Sequence, residues 1–468
     1  MRLRILAALM FAGCSIGPDY TRPAVAVPDH LKEAPEGWKV AQPSDTNDRG
    51  AWWEIFGDPE LNALEEKVAT SNQTVAGFEA AYRQARALIA GARASYFPTF
   101  SVSASGGRSR GGTPGTVRSM PADGFNLLVD ASWELDLWGR VRHQVNGAKA
   151  SAQGAAADLA NAKLSAQGTL AQSYFQLRAL DATQKLLDDT VAAYQKALEL
   201  TQNRYDQGVV ARGDVLQAQT QLLSAQAAAL DNEIARAQFE HAIAVLVGVP
   251  ASAFSIPRRP LTATPPEIPI WIPSELLERR PDIAAAERRA AAANEQIGVA
   301  MSAFFPSLSL SAMAGFQSAA LGSLLTAPAL VWSLGPQLAQ LLFNGGLRIA
   351  QTEAARAAYD QSAADYRQAV LTAFQDVEDN LVSLRVLEKE LELQEQAVRA
   401  ASRSLEIVTN EYKAGTATYL DVISAQTIAF SAENRLIDIT RRRMVSAVGL
   451  IKALGGGWNV KQLDTAAK

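Results

Sequence analysis

The chain repeats itself, and a tandem repeat sets the architecture before any single motif is weighed. At an offset of 207 positions, Leu198, Asn203, Tyr205, Gly208, Asp214 and Gln219 meet Leu405, Asn410, Tyr412, Gly415, Asp421 and Gln426. Near the start of each half the offset is 208, which lays Phe97-Pro98 over Phe305-Pro306. Chance convergence does not hold register this well, so the two halves share one fold. Between them stand Pro250, Pro257, Pro260, Pro265, Pro266, Pro269 and Pro273, which rule out a helix and predict a linker. The expected divisions are a leader at 1–13, an extended segment at 14–55, a first repeat at 56–256, a linker at 257–280, a second repeat at 281–456 and a tail at 457–468.

Each half reads helix, strand, strand, long helix, turn, long helix. The first helix is expected from about Pro59 to Ser95, and its counterpart starts at Pro281, a residue suited to a first helical turn. In the strand around 125–136, Phe125, Leu127, Val129, Ala131, Trp133 and Leu135 alternate with Asn126, Asp130, Ser132, Glu134 and Asp136. That period of two gives one apolar and one polar face. Phe100 and Val102, like Leu308 and Leu310, alternate with serines. The span from Arg142 to Asn203 predicts a helix of roughly 90 Å at 1.5 Å per residue. Along the last long hairpin Val370, Val377, Leu384, Leu391, Val398, Leu405 and Tyr412 recur every seven positions, the period of helices that coil around one another. Glu388, Glu395 and Ser402 at companion positions are polar, which suits a hollow bundle wetted on one flank.

The opening MRLRILAALMFAGC combines basic Arg2 and Arg4, an apolar run from Ile5 to Ala12, and small residues directly before Cys14. This is the layout of an export signal, too short to span a bilayer. A cysteine in that place resembles a lipobox, which implies acylation of Cys14 and, with Ser15 following it, outer-membrane destination. An ordinary leader with an incidental cysteine is the alternative. Several acyl chains anchor a protein stably where one does not. The proline-rich stretch from Gly17 to about Gly50 is expected to lie extended over a surface.

No stretch reaches the roughly 18 apolar residues a spanning helix needs, so any crossing must be by strands. In an exported chain with two short hairpins between long helices, lipid outside and water inside is the expected arrangement. A net charge of −4 argues against nucleic acid as a partner. One cysteine and three scattered histidines, His30, His143 and His241, offer no metal-ligand spacing. No nucleophile, base and metal converge, so an enzyme is not expected and no cofactor or metal is called for.

Four strands cannot close, and lipid does not tolerate an open sheet edge. The chain must therefore oligomerise. Two copies would give an eight-stranded barrel filled by its own side chains, and three a twelve-stranded barrel with a water-filled lumen. A periplasmic adaptor lipoprotein would need β-rich halves around a single hairpin. A structural coiled-coil envelope lipoprotein would leave the alternating strands unexplained.

The lipobox followed by GPDYTRP, then WWEIFGDPEL, the RRPDI-AAAE segment from Arg279 to Glu287, and LLFNGG ending at Gly346 resemble the outer membrane factor (TolC-like) family in its lipoprotein branch. The resemblance covers the chain from Cys14 to about Gly457. It implies a mainly α fold in which long helical hairpins form a periplasmic barrel, with four transmembrane β-strands per chain and a twelve-stranded barrel in a homotrimer. It further implies an outer-membrane channel of a tripartite efflux system, a passive duct for small molecules such as drugs or toxic compounds. The implied partners are a periplasmic adaptor (membrane fusion) protein and a proton-driven inner-membrane pump of the RND type.

By the same resemblance the turns at Gln207 to Gly213 and Ala414 to Thr418 form the periplasmic tip, with Asp214, Asp421, Tyr205 and Tyr412 at the family's gate positions. Ser424 and Ala417 stand where some members carry a second aspartate and an arginine. Thr418 and Asp421 also have the spacing of a capping box, and Asp214 lies in a first helical turn that favours a carboxylate. Capping and gating can both hold. Trp133, Trp138 and Trp332 are expected near membrane interfaces. Trp52 and Trp53 should pin the N-terminal segment to the helical body, and Arg279, Arg280 and Glu287 should make ion pairs at a helix start.

Overall fold

The computed structural model describes residues 16–28, 31–33, 51–110, 121–261, 265–266 and 279–458. Cys14 with its leader, most of the linker and the tail from 459 onward lie outside the described residues. The first half contains α1 (Pro59–Ser71), α2 (Gln73–Ala94), β1 (Thr99–Ser109), β2 (Ala122–Leu135), α3 (Arg140–Asp206) and α4 (Arg212–Leu246). The second contains α5 (Pro281–Ser302), β3 (Ser307–Ser318), β4 (Leu330–Ala339), α6 (Leu347–Ala414) and α7 (Tyr419–Ala453). The series of elements is the same in both halves, apart from one break.

That break corrects the sequence reading: the helix expected to run from Pro59 to Ser95 is two helices. Asn72 leaves helical geometry at φ −68° and ψ 121°, its side-chain oxygen accepts from Val75 N at 3.0 Å, and its Nδ2 donates to Leu246 O at 2.8 Å. A residue that caps a new helix and ties its junction to α4 serves better here than one more helical turn.

With 67 and 68 residues, α3 and α6 are each about 100 Å long at 1.5 Å per residue. Both are entered through a left-handed glycine, Gly139 at φ 81° and Gly346 at φ 87°, a backbone that a side chain would strain. The sharp turn from strand into helix is thus written at equivalent places in both repeats. The heptad residues of α6 lie on its covered side: Val370, Val377 and Tyr412 are buried and the other four half-buried, while Glu388, Glu395 and Ser402 are exposed. Toward the hairpin turns α3 packs against α4 and α7, and α6 against α7, so the lateral order there is α4, α3, α7, α6. Toward the sheet α2 and α5 flank α3, and α5 meets α6.

The main core sits partway along the long helices. There Leu170, Tyr174 and Phe175 of α3 meet Tyr366, Val370 and Phe374 of α6 and Met444 of α7. Trp52 and Trp53 join this core, and Phe56 packs at a tilt against Phe175 with ring centroids 5.0 Å apart, as the pinning role requires. Beside it, Arg178 is buried at 2% exposure. It pairs with Asp181 at 3.1 Å and with Glu60, and donates to Pro257 O at 2.7 Å. Arg236 binds the same Asp181 at 2.7 Å and donates to Ile256 O at 2.6 Å. Buried charges therefore grip the first residues of the linker.

Arg280 makes the expected ion pairs at the start of α5, with Asp282 at 2.6 Å and Asp376 at 3.0 Å. Glu287 accepts from Tyr20 Oη at 2.7 Å and pairs with Arg288 at 2.7 Å.

The strands form one antiparallel sheet in the order β1-β2-β3-β4. β2 and β3, from different repeats, pair from Phe125–Ser318 to Leu135–Leu308. The two hairpins thereby become a single wall with β1 and β4 at its edges.

Candidate functional site

Two regions carry functional geometry: the sheet at one end of the long helices and the hairpin turns at the other. The pairing register puts Phe100, Val102, Leu127, Val129, Leu310, Trp332, Leu334 and Leu338 on one side of the sheet. Phe100 and Val102 are each 72% exposed and Trp332 74%. Among the described residues no element covers this side, so its apolar area needs a non-aqueous neighbour. The other side carries mainly small polar residues, with Leu128, Met313 and Val331 among them. Asn126 Nδ2 donates to Ser105 Oγ at 3.3 Å and Ser103 Oγ to Asp130 Oδ2 at 3.4 Å, across the β1–β2 pair.

At the helix end of the sheet, Trp133 Nε1 donates to Tyr96 O at 3.0 Å and Trp138 Nε1 to Pro306 O at 2.7 Å. By register Trp332 lies level with Ala314 and Val129, inside the apolar band rather than at its far margin, with Leu330, Phe316 and Leu127 one row further from the helices. Indoles at the helix-side margin of an apolar band suit a bilayer interface. No helix of the described residues is long and apolar enough to cross a membrane, and among those residues no His, Cys, Asp and Glu cluster could hold a metal ion.

The N-terminal segment starts at that margin, where Ile16 N donates to Trp138 O at 3.2 Å. It then runs down the helices. Asn294 donates to Pro18 O at 2.9 Å, Arg367 to Ala24 O at 3.2 Å, and the amides of Lys32 and Glu33 donate to the Glu378 carboxylate at 2.7 and 2.9 Å. Glu33 closes the series by pairing with Arg385.

At the far end Gly208 at φ 76° and Gly415 at φ 83° let α3 and α6 turn back. The two tips then differ. On α7, Thr418 and Asp421 form a full capping box: Thr418 N donates to Asp421 Oδ2 at 2.9 Å, and Asp421 N donates to Thr418 Oγ1 at 3.3 Å. The Thr418 donors hold the exposed Asp421 carboxyl below its usual range. On α4 the equivalent cap position is Ala211, which supplies no side-chain bond. Asp214 is half-buried in the first turn, where the helix dipole favours its charge.

Of the two tip tyrosines, Tyr412 is buried at 4% exposure while Tyr205 is 38% exposed. Arg204 lies over the Tyr412 ring at 4.5 Å and donates to Tyr412 O at 2.7 Å. Thr201 Oγ1 is 3.3 Å from Tyr412 Oη, and the Tyr419 ring centroid is 5.6 Å away. Burial pushes the Tyr419 hydroxyl up to about 12, with further contributions from Tyr412, Tyr194 and Asp214. So the structure brings Tyr412 into a joint between the hairpins and leaves Tyr205 and Asp421 facing outward. Arg204, Thr201 and Tyr419 belong to that joint and were missed by motif reading. Arg204 alone carried a signal, as a cation one residue before a tyrosine in the last helical turn.

Comparison with known proteins accords with this geometry. The family model described as "Outer membrane efflux protein" matches residues 64–249 and 272–456, one match in each repeat. The pyoverdine export outer membrane protein OpmQ of Pseudomonas aeruginosa is 31% identical across 99% of this chain and 98% of that protein. The outer-membrane channel OprN superimposes with a TM-score of 0.88 at 30% identity, covering 95% of this chain and 100% of that one. The open state of the MtrE outer membrane channel of Neisseria gonorrhoeae gives a TM-score of 0.81 at 28% identity, with 95% and 98% covered. The chain belongs to the outer membrane efflux protein family.

Proposed function

We propose that three copies of this chain close into a passive duct through the outer membrane and periplasm, the exit stage of a tripartite efflux system. The pair of free sheet edges carries the reading. β1 and β4 each have a partner on one side only, and backbone amides at bilayer depth require one on both. The helices repeat the pattern, since toward the turns α4 and α6 stand outermost. Heptad-spaced apolar residues are exposed on both, Leu216, Leu223 and Leu230 on α4 and Val386, Leu393 and Ile407 on α6.

Laying β1 and α4 of one copy against β4 and α6 of the next satisfies both edges at once, in a head-to-tail contact that closes as a ring. Three copies give the water-filled lumen that a conduit needs. Acylated Cys14, two residues before Ile16, would place its lipid at the membrane margin marked by Trp138. By family likeness the duct works with a periplasmic adaptor and a proton-driven RND pump, and carries small toxic molecules. Purified from cells fed labelled palmitate, the protein is expected to run as a labelled, detergent-resistant trimer that collapses to monomer on boiling. A monomer before boiling would sink the trimer, and an unlabelled band the lipid anchor.

The tip is the gate in this reading. Three symmetry-related Asp421 carboxylates ring the constriction, with Asp214, Tyr205 and Tyr412 behind them, and an adaptor opens it by spreading the hairpins. Asp421→Asn keeps an acceptor for the Thr418 amide while removing the charge. Single-channel recordings should show a changed conductance and a loss of cation preference in that variant. If instead Asp421→Asn behaves as the parent and Thr418→Ala alone loosens the tip, Asp421 is a cap and nothing more.

A further inference from the structure

From Gln296 to Leu347, a span that includes both β3 and β4, the chain contains no Asp, Glu, Lys or Arg. All charge on the sheet comes from β1 and β2, namely Arg108, Asp123, Asp130 and Glu134. Three of these are matched. Arg108 and Asp123 pair with each other at 3.6 Å at the end of the sheet away from the helices. Glu134 takes a two-point bond from Arg140 at 2.9 and 2.6 Å. Asp130 stands apart: it accepts a long bond from the Ser103 hydroxyl, and it has no salt bridge among the described residues. By register it lies on the polar side of the sheet, opposite Ser101 on β1 and Met313 on β3.

We propose that Asp130 sets the charge preference of the barrel, as a ring of three carboxylates that admits cations and retards anions on their way out. This inference rests on the trimeric duct above. At the level of Asp130 the described residues of the wall offer no counter-charge, and a low-dielectric wall of protein and lipid focuses a field into water. The nearest other acid on the same face, Glu134, lies four residues away, roughly 14 Å along the strand at 3.4 Å per residue. That exceeds the screening length of about 8 Å at physiological salt, and Glu134 is already neutralised by Arg140. The filter is thus one layer deep and separate from the tip.

Ser101→Cys places a thiol directly across from Asp130. In reconstituted trimers, its rates with size-matched cationic and anionic methanethiosulfonates, each divided by the reagent's rate with a free thiol, give a ratio from which the thiol's own ionisation cancels. The parent chain supplies the background. With Asp130 present the cationic reagent should be favoured several-fold, and adding Asp130→Asn should bring the ratio close to one, while Asp130→Glu should retain it. A ratio indifferent to Asp130→Asn overturns the filter and leaves the duct standing. A thiol that neither reagent reaches overturns the water-lined face itself, and the filter with it.

Discussion

Arg178→Met is expected to lower stability by about 3–5 kcal/mol, the loss typical when one partner is taken from a buried charge network. The Arg178 guanidinium holds Asp181, Glu60 and the Pro257 carbonyl together and lies over the Tyr174 ring at 4.8 Å. Without it the Asp181 side chain, 1% exposed, must be served by Arg236 and the Arg259 amide alone. The knot fastens the beginning of the linker to α1, α3 and α4. Arg178→Lys should recover only part of the loss, since an ammonium cannot make the forked contacts. Guanidinium unfolding in detergent, followed by tryptophan emission from the adjacent Trp52 and Trp53, would read the change. An unmoved midpoint would mean that the linker is held by something else.

The second large effect has the opposite sign. Glu65 on α1 is wholly buried, neither of its carboxylate oxygens has a hydrogen-bond partner, and burial pushes its carboxyl up to about 9 from 4.5. A folded-state value raised above the unfolded one means that the chain is best served below pH 4.5. It then loses stability as pH climbs toward 9, where the folded carboxyl ionises in turn. Each pH unit in that window costs about 1.4 kcal/mol, hence roughly 3 kcal/mol at pH 7 as an upper figure. Glu65→Met, which fills similar volume without a polar atom, should therefore stabilise the protein by about 2–3 kcal/mol at pH 7. It should give little at pH 4.5. An equal gain at both pH values would assign the effect to packing rather than ionisation.

Features written as periods were legible in the sequence, and features written as long-range meetings were not. The repeat, the heptads of α6 and the alternation in β2 follow from spacing alone, and the structure places Val370, Val377 and Trp133 accordingly. The break at Asn72 had only a local clue, an asparagine behind a serine. What decides it is Leu246 O, 174 residues further on. The Arg178 knot was invisible for the same reason, since α1, α3, α4 and the linker meet there only after folding. At the tip the repeat was itself misleading. It pairs Tyr205 with Tyr412 and Asp214 with Asp421, yet Thr418 has Ala211 as its counterpart, and one missing hydroxyl gives the two hairpins different ends.

The long N-terminal strap also dictates an order of events. Tyr20 bonds a residue 267 positions later in the chain, and Glu33 one 352 positions later. Contacts this distant form slowly, because closing so large a loop comes before any reward. Residues 20–33, made before either repeat, are consequently seated after both. Until the second repeat has folded, this segment has no surface to lie along, and its docking seals the finished subunit.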